Sequence, residues 1–213
     1  MRRTVRALGA LSILGGLALV AWAGVTWAWG EPFTALYTKR EQGRLAESYE
    51  RRAEAFRGSP RLVAETGAGQ ADAARRYRAG LNTGDPVGRV RIPRLGVSMV
   101  VVEGTDTESL KKGPGHYAGS FLPGQGELIY VAGHRTTYSA PFARIDSLRP
   151  GDTVVFQVPY GTFEYRVTRH RIVDATDVGV LRSRHREEIA LQACHPRFFA
   201  SQRYIVYAKP IER

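Results

Sequence analysis

The chain opens with a long apolar stretch behind a short basic segment. Residues 7–30 carry no charged side chain, and Arg2, Arg3 and Arg6 precede them. A bilayer core about 30 Å thick needs roughly 20 helical residues, so this stretch is long enough to span one. We therefore predict a single-pass signal anchor in the cell membrane, with the N-terminus cytoplasmic and the remainder extracellular. A cleaved signal peptide is the alternative, because Ala21-Trp22-Ala23 resembles a cleavage tripeptide.

Residues 31–86 lack the pattern of a packed domain. Apolar side chains within residues 34–56 recur at helical spacing, which predicts an exposed helix that serves as a stalk. Residues 57–86 are rich in Gly, Ala, Arg, Pro and Asp without a sustained period, which indicates a flexible linker.

The pattern changes at residue 87, where the predicted folded domain, residues 87–213, begins. Short apolar or alternating segments follow one another, separated by Gly and Pro, and the predicted helices, 107–112 and 140–145, are short. Seven or eight closely spaced strands predict an all-β fold, a closed or nearly closed β-barrel. The predicted strands are residues 88–92, 97–102, 127–132, 153–158, 162–173, 187–193 and 204–208.

Charge narrows the class of function. The net charge is +11, but the basic residues are spread along the chain and form no run interleaved with aromatic residues. We therefore predict no nucleic-acid partner, and weak attraction to anionic envelope polymers or lipid headgroups is the more ordinary use of such a surface. No group of His, Asp or Glu has metal-ligand spacing, so we predict neither a metal nor another cofactor.

Cys194 is the only cysteine. A secreted chain cannot use a lone cysteine for an internal disulfide, so the thiol is either inert filling or a nucleophile. Alternation along a strand places Cys194 on the same face as Gln192 and opposite the apolar face that includes Leu191. Pro196 interrupts the strand, which leaves the thiol at an accessible strand end.

Two further groups lie at predicted strand ends. His134 closes the apolar run that starts at residue 127, and Arg203 opens the last strand. A free thiol with a pKa near 8.5 is mostly protonated at neutral pH, so a nucleophilic cysteine needs a nearby imidazole. An arginine suits the oxyanion that forms during attack on a carbonyl, and the implied reaction is acyl transfer through a thioester. His195 is the poorer base, because neighbours on a strand diverge.

Six segments in order resemble the sortases, most closely the class E sortases of actinobacteria. The resemblance spans residues 87–209, and position by position His134, Cys194 and Arg203 match the family's catalytic histidine, cysteine and arginine. The segments are Gly88-Arg-Val-Arg-Ile-Pro93, Val102-Glu-Gly-Thr105, Lys112-Gly-Pro-Gly-His-Tyr117, Leu122-Pro-Gly-Gln-Gly126, Ala132-Gly-His-Arg-Thr-Thr-Tyr138 and Leu191-Gln-Ala-Cys-His-Pro196.

The resemblance implies a membrane-anchored cysteine transpeptidase on an eight-stranded closed β-barrel. Such enzymes cleave a C-terminal sorting signal between Thr and Gly and hold the protein as a thioester, here on Cys194. They then transfer it to an amine of a peptidoglycan precursor. The implied partners are therefore secreted proteins with a sorting signal, the acceptor amine and the membrane. Class E sortases are associated with Leu-Ala-x-Thr-Gly signals rather than Leu-Pro-x-Thr-Gly signals.

The resemblance also implies substrate contacts. Tyr138 matches a tyrosine linked with recognition of the signal's alanine, and the implied substrate-binding set is Tyr138, Thr136, Gln192, Ala193 and His195. The usual Thr-Leu-x-Thr-Cys signature reads Ala190-Leu-Gln-Ala-Cys194 here, so both threonines are replaced. Residues 62–67, Leu-Val-Ala-Glu-Thr-Gly, resemble the signal with one insertion; chance in an Ala- and Gly-rich linker explains them, and a pseudosubstrate is the alternative.

Other functions remain open at this stage. A secreted cysteine protease or amidase would use the same Cys194 and His134 but release its product to water. A non-catalytic envelope-binding barrel would not need the thiol. An L,D-transpeptidase is disfavoured, because no His-Gly signature closely precedes Cys194.

Overall fold

Eight strands close into a β-barrel in the computed structural model, which describes residues 2–29, 32–58 and 67–211. The strands are β1 Pro86–Ile92, β2 Val97–Glu103, β3 Gly115–His116, β4 Leu128–Ala132, β5 Thr153–Val158, β6 Gly161–Asp174, β7 Glu188–His195 and β8 Gln202–Pro210. Around the barrel they run β1-β2-β3-β4-β7-β8-β6-β5. The prediction of an eight-stranded closed β-barrel is confirmed.

Most neighbouring strands in the barrel are antiparallel, but β2 pairs in parallel with β3, and β4 pairs in parallel with β7. Two parallel strands need a crossover connection, and here β5 and β6 lie between β4 and β7 along the chain. The C-terminal ends of β4 and β7 therefore lie side by side at one end of the barrel, although they are far apart in the sequence.

The barrel interior is filled by the inward face of each strand. On β7, Ile189, Leu191 and Ala193 have no exposed surface and belong to the main core cluster. Ala190, between them, packs instead with Tyr130 and Ile205 in a second cluster on the other face. The alternation predicted for this strand is therefore confirmed. Each large apolar side chain buried in this way stabilises the fold by about 1.5–3 kcal/mol.

Helix α1, Arg2–Trp29, contains the apolar stretch. Its residues Thr4–Val25 are long and apolar enough to cross a membrane, by length and composition, and none of that segment is buried against the rest of the protein. This single N-terminal apolar helix suggests a single-pass membrane anchor.

Helix α2, Pro32–Arg57, packs against the barrel, so the prediction of an exposed stalk was wrong. Leu45, Tyr49 and Ala53 are buried and contact Val100 and Val102 of β2. Residues four apart lie on one face of a helix, so the spacing that predicted the helix also forms an apolar stripe that the barrel covers.

Helix α3, Gly67–Ala79, occupies part of the predicted linker, and the linker prediction was wrong for these residues. Ala73, Ala74 and Tyr77 are buried, and the Tyr77 hydroxyl donates to the Pro86 carbonyl, 3.0 Å away. The alanines and arginines of this stretch favour a helix, and its few buried positions are too sparse to show a period. In the segment that resembles a sorting signal, residues 62–66 lie outside the described residues.

Of three short elements, one agrees with the prediction and two differ from it. Helix α4, Thr107–Lys112, forms as predicted, with the Asp106 side chain accepting hydrogen bonds from the main chain of Glu108 and Ser109. The helix predicted at residues 140–145 was wrong, because that stretch forms turns before a 3-10 turn at Ile145–Ser147. Strand β3 was missed, because two residues are too few to show alternation.

Candidate active site

Cys194 lies near the end of β7, on the outer face of the barrel. Ala193 and the other alternate residues of β7 point into the core, so Cys194 and Gln192 share the opposite face. The cysteine is half-buried and is not disulfide-bonded. On the same face the Tyr130 hydroxyl donates to Oε1 of Gln192, 2.9 Å away, which fixes the Gln192 side chain. The thiol is therefore held on a rigid strand and is reachable from solvent.

His134 reaches the same place through the pairing of β4 with β7. Ala132 is the register partner of Gln192, and the main-chain N–H of Gly133 donates to the Gln192 carbonyl, 2.9 Å away. His134 follows Gly133 in the chain, and Cys194 lies two residues after Gln192 on β7. The register therefore ends β4 beside Gln192, and His134 lies in the chain that leaves the sheet after Gly133.

The imidazole of His134 is partly enclosed. Burial lowers the pKa of His134 from its usual value, which favours the neutral ring. The Tyr138 ring packs against it with 5.2 Å between ring centroids. Nε2 is buried and has no hydrogen-bond partner among the described residues. A neutral imidazole with one nitrogen unengaged is suited to exchanging a proton with a substrate.

Arg203 joins these two groups from the neighbouring strand β8. Cys194 and Arg203 are direct partners in the antiparallel β7–β8 ladder, so their side chains share one face. Nη1 of Arg203 donates to the carbonyls of Ala200 and Gln202, at 2.7 and 2.9 Å. The guanidinium is thus tied to the loop that connects the two strands, beside the cysteine.

Ala193 and His195, which the sequence analysis assigned to substrate binding, do not lie on the face of Cys194. The Ala193 side chain is fully buried in the barrel core, so it does not line the outer face. His195 lies on the same side of β7 as Ala193, with its ring 5.8 Å from that of Tyr204. Gln192 shares the face of Cys194. Thr136 and Tyr138 lie in the loop after His134, where the Tyr138 ring covers the imidazole.

Sequence analysis missed Arg135, which is buried beside the cysteine. Only 5% of its side chain is exposed, and Nη1 donates to the Cys194 carbonyl, 3.2 Å away. Nη2 donates to Asp146, 2.6 Å away. A charged residue in a polar run looks like a surface position, and its place next to His134 was the only available signal.

Helix α2 also reaches the site, through the loop that carries Tyr138. The main-chain N–H of Tyr138 donates to Oγ1 of Thr34, 3.2 Å away, and the Ser139 hydroxyl donates to the Ala35 carbonyl, 3.3 Å away. Tyr37 packs edge-on against Tyr138. Tyr138 and Ser139 both have left-handed backbone conformations, with φ of 51° and 61°, which turn the loop towards the helix.

Cys194 and Arg203 are partners on β7 and β8, and His134 follows β4, which is the other neighbour of β7. A thiol, an imidazole and a guanidinium are the groups that acyl transfer uses. Within the described residues, no group of three or more His, Cys, Asp or Glu is placed to hold a metal ion.

Comparison with known proteins identifies the family. Residues 90–211 match the model of the sortase domain. Sortase D of Bacillus subtilis is 36% identical over 133 residues, which are 61% of this chain and 66% of that protein. Sortase SrtE1 of Streptomyces coelicolor is 30% identical over 139 residues, 58% of this chain and 40% of that protein. The chain thus spans less than two thirds of these curated relatives. The solved structure of sortase E from Streptomyces avermitilis is 38% identical, with a TM-score of 0.54 over 62% of this chain and 91% of that one. Because the sortase-domain match covers more than half of its length, this chain belongs to the sortase family.

Proposed function

We propose that the protein is a membrane-anchored cysteine transpeptidase in which Cys194 is the nucleophile, His134 the general acid and base, and Arg203 the electrostatic stabiliser. The observation that carries this proposal is the strand register. The parallel pairing of β4 with β7 brings His134 towards Cys194, and the antiparallel pairing of β7 with β8 sets Arg203 opposite it.

The first half-reaction forms a thioester. The Cys194 sulfur attacks the carbonyl carbon of the signal's Thr, and the bond from that carbon to the Gly nitrogen breaks. His134 accepts the proton of the Cys194 thiol and passes it to the leaving Gly amine. The N-terminal part of the substrate is then bound to the sulfur as an acyl group.

The second half-reaction transfers that acyl group. An amine of a cell-wall precursor attacks the thioester carbon, a new amide bond forms, and the bond from carbon to sulfur breaks. His134 accepts the proton that the attacking amine loses and returns it to the Cys194 sulfur, so the enzyme regains its starting state.

Arg203 acts on the oxygen that becomes negative in both half-reactions, or on the substrate backbone next to it. An arginine guanidinium is positively charged and donates in a fixed fork, which suits an oxyanion. Its pairing with Cys194 in the β7–β8 ladder supports this role, and the hydrogen bonds from Nη1 to the Ala200 and Gln202 carbonyls restrict the motion of the guanidinium.

We propose a Leu-Ala-x-Thr-Gly-type signal as the substrate, with a Leu-Pro-x-Thr-Gly-type signal as the second candidate. The match of Tyr138 to the tyrosine linked with the signal's alanine, together with its position against His134, supports a contact between Tyr138 and that alanine. The identity to sortase E of Streptomyces avermitilis supports a class E assignment, whereas the identity to sortase D of Bacillus subtilis supports class D. Because these two relatives favour different classes, peptides that carry each of the two signals have to be compared as substrates.

We further propose that α1 crosses the membrane with its N-terminus in the cytoplasm, which places the barrel outside. The basic residues Arg2, Arg3 and Arg6 before the apolar segment support this orientation.

The test is mass spectrometry of the full-length protein in detergent micelles with either signal peptide. We expect an acyl adduct on Cys194, and transfer of that acyl group to added diaminopimelate. The Cys194→Ala variant should form no adduct while it keeps the thermal stability of the parent. No adduct with either peptide would contradict the proposal. Adduct formation followed by release to water alone, at saturating amine, would identify a cysteine hydrolase instead.

A further inference from the structure

The main-chain ladder between β4 and β7 stops one carbonyl short of the cysteine. Gly133 donates its N–H to the Gln192 carbonyl, and the chain after Gly133 then leaves the sheet. Carbonyls two residues apart on a strand point to the same side, so the Cys194 carbonyl faces the place that β4 has vacated. A guanidinium fills that place, because Nη1 of Arg135 donates to the Cys194 carbonyl, 3.2 Å away.

The guanidinium of Arg135 is held on its other sides as well. Nη2 donates to Oδ2 of Asp146, 2.6 Å away, and Nη1 lies 3.0 Å from Nδ1 of His195. Because arginine only donates, Nδ1 of His195 is the acceptor in this contact. The Tyr204 ring lies 5.9 Å from the guanidinium carbon. The side chain is therefore fixed in one position rather than mobile.

Stability alone does not explain this burial. Nε of Arg135 is buried and has no hydrogen-bond partner among the described residues. A buried N–H without a partner is destabilising, and an apolar side chain of similar volume often stabilises a fold as well as a buried ion pair does. What the guanidinium supplies, and an apolar side chain cannot, is a donor for the carbonyl of Cys194.

We propose that Arg135 is a positioning residue that keeps the Cys194 end of β7 in register with His134. Arg135 follows His134 directly in the chain, so its hydrogen bond to the main chain of Cys194 ties the two together. The inference rests on the proposed roles of Cys194 and His134. Acyl transfer is sensitive to such a tie, because a displacement of 1 Å can reduce a rate about 100-fold.

The test compares variants of the full-length protein in the peptide assay. Arg135→Met removes the donor, and we expect kcat to fall about 100-fold with KM within about twofold. Arg135→Lys retains a charge and one donor, and it should recover part of that loss. Asp146→Ala leaves the arginine in place but removes its anchor, and kcat should fall about threefold to tenfold. Asp146 has 52% of its side chain exposed, so this variant should fold even if Arg135→Met does not.

Arg52→Met is the matched control. Arg52 donates from Nη1 to the Gly80 carbonyl, 2.9 Å away, and from Nη2 to Asp85, 2.6 Å away, so it has the same kind of partners at a different place. We expect it to lower the melting temperature but to leave kcat within about twofold of the parent.

The possible failures are distinguishable. If the parent forms no acyl adduct on Cys194, the proposed function fails. If the parent reacts and folded Arg135→Met reacts equally fast, the positioning role is refuted. If Arg135→Met does not fold, Arg135→Lys and Asp146→Ala decide, and parental kcat in both would refute the role. A loss of activity in Arg52→Met as large as that in Arg135→Met would refute it too, because the effect would then follow stability.

Discussion

Oγ1 of Thr34 accepts a hydrogen bond from the main-chain N–H of Tyr138, with 3.2 Å between the two atoms. Thr34 lies in the first turn of α2, and Tyr138 covers the imidazole of His134. The helix that follows the apolar segment therefore holds the loop at the candidate active site. A segment that the sequence suggested was only a spacer contributes to the geometry of the site.

Removing this contact should lower activity without unfolding the protein. Thr34→Val keeps the shape of the side chain but loses the acceptor, and one hydrogen bond of about 1 kcal/mol corresponds to roughly a fivefold change in kcat/KM. The measurement is steady-state turnover of the signal peptide. Leu36→Ala is the control, because Leu36 is 52% exposed in the same helix turn. Equal activities in the two variants would show that the contact is unimportant.

The cover provided by Tyr138 should set the titration of His134. Burial lowers the pKa of His134, so removing the ring in Tyr138→Ala should expose the imidazole and raise its pKa towards the usual value of about 6.5. NMR titration of labelled histidine measures this, with His134→Gln used to assign the signal. Tyr138→Phe keeps the ring and should leave the midpoint unchanged. A midpoint that does not rise in Tyr138→Ala would show that another group encloses the histidine.

The same burial predicts a pH dependence of stability. The pKa of His134 is lower in the folded state than in the unfolded state, so protonation favours unfolding. The contribution of the neutral His134 ring to the free energy of unfolding is fully present above the unfolded pKa of about 6.5. It is lost as the pH falls through the lower folded pKa. Between pH 7.5 and 5.0, chemical denaturation should show that the free energy of unfolding falls more for the parent than for His134→Gln. Parallel losses in the two proteins would contradict this.

Gln42 should be important for the docking of α2. Its amide donates to the carbonyls of Val100 and Lys112, at 3.0 and 2.9 Å, and accepts from the Val100 N–H, 2.7 Å away. Gln42→Ala loses three hydrogen bonds worth about 1 kcal/mol each, so the free energy of unfolding should fall by about 3 kcal/mol. Denaturant titration measures the fall. Lys39→Ala, an exposed position on the same helix, should change it by less than about 0.5 kcal/mol. A similar small change for Gln42→Ala would show that apolar contacts alone hold α2.

Gly133 should tolerate no side chain. A Cβ there would lie 2.6 Å from Cδ2 of Phe142, a fully buried ring, so Gly133→Ala should cost about 1–3 kcal/mol and displace His134. Thermal unfolding and turnover should both decline, and Phe142→Leu in the same chain should recover part of the loss. Gly43→Ala, on α2 with nothing within 4 Å, should instead stabilise by about 0.5–1 kcal/mol. Independent effects of the Gly133 and Phe142 changes would disprove the clash.

Several features were predictable because they depend on local pattern. The alternation of Ile189, Leu191 and Ala193 with more polar neighbours places Cys194 on the outer face, and the structure agrees. The short helix at Thr107–Lys112 also follows from adjacent residues. In contrast, the two residues of β3 and the left-handed turn at Tyr138 have no local signature strong enough to predict them.

Other features depend on which elements meet. The apolar stripe of α2 predicts a helix equally well whether the stripe is exposed or covered, and only Val100 and Val102 of the barrel decide that it is covered. Arg135 is buried because Asp146 and the Cys194 carbonyl surround it, and neither is near it in the chain.

The sequence by itself determined seven of the eight strands, the inward face of β7, the apolar N-terminal segment and the three residue types that the chemistry needs. Each of these depends on the spacing of neighbouring side chains, which the chain carries in any conformation. Only the tertiary structure decided that β4 lies parallel to β7 and that β8 lies on the other side of β7. Strand pairing is set by long-range packing around the closed barrel, and that packing sets Arg203 opposite Cys194 and ends β4 beside Gln192.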